Sequence, residues 1–62
     1  MTIHLPPHAL WFQSTDHYKA AISLVNNLYR YEIFSVVTGH RVYAGGGYAT
    51  LAEAKKIVLG II

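Results

Sequence analysis

The pair Asn26-Asn27 constrains the fold of this chain more than any other feature. The stretch around it, "YKAAISLVNNLYRYEIFSVVTGHRVYA", has two readings. In the first, Tyr18, Ala21, Ile22, Val25, Leu28 and Tyr29 fall at helical spacing, with Ser14 or Thr15 available as a cap. In the second, asparagine tolerates positive φ, so the pair forms a two-residue hairpin turn. The residues after it, 28–37, are rich in β-branched and aromatic side chains.

Cross-strand pairing separates the two readings. A two-residue turn at Asn26-Asn27 sets Leu24 opposite Tyr29, Ile22 opposite Tyr31 and Ala20 opposite Ile33, all on one apolar side. The other side pairs Ser23 with Arg30, Ala21 with Glu32 and Lys19 with Phe34, so both strands send their polar residues to the same face. A second two-residue turn at Thr38-Gly39 extends the pattern, with Val42 and Ala44 on the apolar side and Arg41 and Tyr43 on the mixed side.

A helix follows. Thr50-x-x-Glu53 is a capping box, in which the threonine hydroxyl accepts from an early helix amide and the glutamate reaches back to the cap. Ala54, Ile57, Val58, Ile61 and Ile62 form an apolar stripe, with Glu53, Lys55 and Lys56 off it. Gly60 either ends the helix as a left-handed cap or is a weak point inside it. Between sheet and helix, Gly45, Gly46 and Gly47 suit a turn that needs positive φ and close backbone approach. They lack the lysine and hydroxyl residue that follow a phosphate-binding loop.

At the other end Pro6 and Pro7 exclude a helix, and residues 1–13 read as an irregular arm. Trp11 and Phe12 at its end cover an open edge or face of the core, or contact a partner. The expected fold class is α+β: a three-stranded antiparallel β-meander packed on one C-terminal α-helix, with residues 14–62 as a single domain behind the arm.

A chain of 62 residues buries only about 60% of the surface its unfolded form exposes, so its stability margin is thin. With no cysteine it has neither disulfides nor the commonest zinc ligands, which leaves self-association as the compensating device. Its 53% hydrophobic and 13% charged content agrees with some apolar surface being shared. The first residues do not read as a signal peptide, and no apolar run approaches the roughly 18 residues of a membrane span. A soluble, cytoplasmic protein is expected.

Few residues here can do chemistry. Asp16, Glu32 and Glu53 are the only carboxylates; Glu53 belongs to the cap and Glu32 lies near Arg30 and Lys19 as a solvated ion pair. The prolines between His4 and His8 keep those rings off one helical face, no cysteine and few carboxylates are at hand to complete a metal site, and His17 and His40 read with them as solvent-exposed or hydrogen-bonded histidines. No enzyme activity, metal, cofactor or small-molecule substrate is expected.

The mixed face carries the functional expectation. Lys19, Arg30 and Arg41 alternate there with Phe34, Tyr43, Val36, Leu28 and Val25, on a sheet whose other side the helix covers. Lys19, Arg30, Phe34, Arg41 and Tyr43 are the candidate binding residues of the face, and Trp11 and Phe12 those of the arm. Three occupants are open: the arm itself, a protein partner or second copy, or duplex DNA with the cations on phosphates. An inert stub held within a larger assembly is a further reading.

The stretch "YRYEIFSVVTGHRVYAGGGYATLAEAKK" resembles the YegP-like small bacterial domain, in which strands, a glycine turn and an aromatic "GY" precede a helix. It is similar also to the amino-terminal arm-binding domain of phage integrases, through Gly47-Tyr48 and "TLAEAKK". Both resemblances imply a β-β-β-α architecture. The integrase type implies DNA binding through Arg30, Arg41 and Lys19, although here Glu32, Phe34 and Val36 share the face. Small domains of this kind also resemble accessory proteins of phages and mobile elements, including inhibitors that occupy a surface of a host complex.

Overall fold

A computed structural model describes residues 9–62. His4, His8 and the two prolines of the arm lie outside the described residues. Four strands, β1 (Ala9–Ser14), β2 (Tyr18–Val25), β3 (Leu28–Ser35) and β4 (Arg41–Tyr48), precede one helix, α1 (Leu51–Ile61). The strands form one antiparallel meander in the order β1-β2-β3-β4.

Asn26 and Asn27 both adopt positive φ, 53° and 65°, so the central turn is of the mirror-image kind whose twist matches the flanking strands. The β2–β3 register follows from it: Leu24 opposes Tyr29, Ile22 opposes Tyr31, Ala20 opposes Ile33, and Lys19 opposes Phe34. The continuous helix that the periodicity allowed through residues 18–29 does not form.

The expected three-strand sheet has a fourth strand. Residues 9–13, read as irregular arm, run as β1 along the free edge of β2. Trp11 opposes Ile22 on the helix side and Phe12 opposes Ala21 on the other, so the two aromatics part company. The prolines exclude only a helix at their own positions, whereas the unpaired amides and carbonyls of β2 and the β propensity of Trp-Phe favour a strand beyond them. Thr15 closes the β1–β2 connection: its Oγ1 accepts from the Tyr18 amide at 3.1 Å, and its amide donates to the Tyr18 carbonyl at 2.8 Å.

The β3–β4 connection is longer than a two-residue turn. It closes with Ser35 N–H on the His40 carbonyl (2.9 Å) and Gly39 N–H on the Ser35 carbonyl (2.8 Å), while Val36 N–H reaches across to the His17 carbonyl (2.9 Å). In β4 a bulge then inserts Val42 between Arg41, opposite Phe34, and Tyr43, opposite Ile33. One extra residue exchanges faces, so Tyr43 lies on the helix side and Ala44 beside Glu32 on the other, the reverse of the expected placement. Tyr43 there meets Tyr18 edge-on, with ring centroids 6.3 Å apart.

The core lies between the apolar face and α1. Ala20, Ile22, Tyr31 and Ile33 from the sheet and Ala54 and Val58 from the helix are buried, with Trp11, Tyr18, Tyr29, Tyr48, Leu51, Ile61 and Ile62 packed around them. Among the described residues only Ile22, Ile33 and Val58 are large and fully buried, which is a thin core, as expected at this length. Thr50 caps α1, its Oγ1 accepting from the Glu53 amide at 3.2 Å. The helical stripe faces the core as expected at Ala54, Val58, Ile61 and Ile62, whereas Leu51 joins it and Ile57 stands exposed. Gly60 lies inside the last turn, and Ile62 is the C-cap, its amide donating to the Val58 carbonyl.

Candidate functional site: the open face of the sheet

With α1 on one side only, the other side of the meander is uncovered by any described element. The register places Phe12, Lys19, Ala21, Ser23, Val25, Leu28, Arg30, Glu32, Phe34, Arg41 and Ala44 on it. Its middle is small-residue territory, since Ala21 and Ser23 are buried between their larger neighbours. Around them stand apolar side chains that a core would claim: Phe12 is 52% exposed, Leu28 45% and Val25 43%.

One ion pair crosses this face. Arg41 Nη1 lies 3.3 Å from Glu32 Oε2, with Arg41 largely in solvent and Glu32 only 18% exposed. Ala21 and Ala44 oppose Glu32 on either side, and their short side chains leave the carboxylate reachable from β4. Arg30 and Lys19 have no carboxylate partner among the described residues.

At the Asn-turn end the face deepens into an open groove of about 480 Å³, lined by Val25, Asn26, Leu28, Arg30, Ala44 and the glycine run of β4. The glycines make it. Tyr31 opposes Gly45 and Tyr29 opposes Tyr48, so β4 carries an extra residue across Gly46 and Gly47, a second bulge, with Gly47 at φ 85°. Without side chains the strand presents bare backbone between Ala44 and Tyr48, and the Arg30 stem borders the trough: a Cβ on Gly46 would sit 3.0 Å from that of Arg30.

The sequence-derived site residues thus divide. Lys19, Arg30, Phe34 and Arg41 share the open face, and Phe12 joins them from β1. Tyr43 does not, for the reason of register given above. Trp11 packs against the core on the helix side, where Lys55 Nζ lies 5.8 Å above its ring. The glycine trough is the element that residue-by-residue reading misses; the run of three glycines flags a turn, and only the bulge converts it into a groove.

Both sheet edges are poor templates for a further strand. β1 bulges at Leu10, and β4 bulges at Val42 and again at Gly46-Gly47, which interrupts the row of free backbone groups a partner strand would need. Among the described residues no group of three histidines, cysteines or carboxylates could hold a metal ion, and no helix is long and apolar enough to cross a membrane. Comparison of the chain with protein-family models, curated proteins and solved structures finds no match.

Proposed function

We propose that this chain is a non-enzymatic binding module that engages a protein through the open face of its sheet. The observation that supports this reading is the pairing of exposed Phe12, Val25 and Leu28 with arginines around a centre of small residues. Apolar area next to arginine and aromatic side chains is what protein interfaces favour, and a monomer gains nothing by exposing it. The bulged edges favour the face over strand addition as the route of association.

Duplex DNA on the same face is the less supported occupant. Of its three cations Arg41 is already engaged by Glu32, which leaves Lys19 and Arg30 for phosphates, about −0.9 in log-log salt slope for each.

The test is comparative capture from a lysate of the native host, with the wild type, Phe34→Ala, Arg41→Glu and the helix-surface control Lys56→Glu. The reading expects the same protein with wild type and control and its loss with the two face variants. Capture unchanged by the face variants, together with a strict monomer by light scattering, would refute it.

A further inference from the structure

The open face carries the whole of the chain's formal net charge. That charge is +2, and on this face three cations, Lys19, Arg30 and Arg41, stand against the single carboxylate of Glu32. Elsewhere Asp16 and Glu53 balance Lys55 and Lys56. The excess is thus confined to the open face, where Phe12, Val25 and Leu28 also stand exposed. Two copies docked face to face would bring these excesses together across a desolvated contact, where like charges are costly. A second copy is therefore the wrong complement.

Within the face, the groove at the Asn turn combines apolar side chains, Val25 and Leu28, with Arg30, a half-buried residue that has no acid partner among the described residues. Its floor is the backbone of Gly45, Gly46 and Gly47. A guanidinium accepts a carboxylate with two parallel hydrogen bonds, and the apolar side chains accept an aliphatic or aromatic neighbour. The geometry points to a specific occupant: an acidic, apolar segment of a different protein, seating a glutamate or aspartate carboxylate on Arg30 and a hydrophobic side chain against Val25 and Leu28. This rests on the open face being the binding surface and adds the chemistry of what it binds. Nucleic acid would supply anions without the apolar partner that these side chains require.

The experiment is an amide-resolved NMR titration of the full chain with three probes: a short synthetic peptide alternating glutamate with leucine, the same peptide with lysine for glutamate, and a mixed-sequence DNA duplex. The glutamate peptide is expected to shift the amides of Leu28, Arg30 and Gly45 to Gly47, and the lysine peptide to leave them in place. Arg30→Glu and Arg30→Gln should each weaken the glutamate peptide by roughly tenfold or more, as loss of a charge-assisted contact does. Ala44→Leu, which fills the trough at an exposed position and keeps every charge, should weaken it as well. Equal binding of the lysine peptide, indifference to both Arg30 variants, tighter binding of the duplex, or sedimentation of the free chain as a dimer would overturn the acidic occupant. The wider reading would survive any of the first two results as long as Phe34→Ala still abolished partner capture, so the two failures are distinguishable.

Discussion

The ring of Tyr31 occupies the space that a side chain on Gly45 would need: a Cβ there would lie 2.6 Å from the ring edge and 2.8 Å from the hydroxyl. Tyr31 is buried and leans on Tyr48 at 6.2 Å between ring centroids, so it has little freedom to withdraw. Gly45→Ala should therefore destabilise the fold by about 1–3 kcal/mol, the cost of overpacking. A double-mutant cycle with Tyr31→Leu, read by chemical denaturation, should recover part of the loss, because the two substitutions share one space. Strict additivity would contradict the contact.

The central turn makes an opposite pair of predictions. Asn27→Gly meets the positive φ at no steric cost and should leave the melting temperature unchanged or raise it. Asn26→Ala with Asn27→Ala forces two side chains into the left-handed region and should cost about 2 kcal/mol, at roughly 1 kcal/mol each. Thermal denaturation by circular dichroism reads both.

Gly60 is a stabilisation site. It sits within α1, and a Cβ there would meet nothing within 4 Å. Gly60→Ala should raise stability by about 0.5–1 kcal/mol through helix propensity alone. In so small a domain the melting temperature should rise by several degrees.

The Arg41–Glu32 pair is a minor stabiliser. With Arg41 54% exposed, its removal should cost at most about 1 kcal/mol, less at high salt. Arg41→Ala should fold, which makes the position usable for binding tests. A loss of several kcal/mol in urea denaturation would mean that the pair holds the sheet together.

These expectations rest on a fold that the sequence discloses unevenly. The β2–β3 hairpin is legible because an asparagine pair admits one compact turn, and that turn sets the register of every residue on either side. Lys19, Arg30 and Phe34 reach the open face through it. Thr38-Gly39 looks alike but belongs to a longer loop, held by the Ser35 and Thr38 hydroxyls on the amides of Thr38 and His40. The bulge at Val42 is invisible to a period-two pattern, and one inserted residue is enough to carry Tyr43 to the wrong side. Ala9–Ser14 shows no alternation, being four apolar residues followed by two polar ones, and its strand is recruited by the open edge of β2, a tertiary cause that a period-two pattern does not express. The groove depends on a second bulge in the glycine run and so is legible only once the register is known.

Hydroxyl-radical footprinting of the chain, alone and with the protein it captures, tests the central claim most directly. Protection concentrated on Phe12, Leu28 and Phe34, with the exposed helix residues Ile57 and Leu59 still reactive, is the predicted result. Protection of Ile57 and Leu59 with an unchanged sheet face would place the partner on the helix and contradict the account.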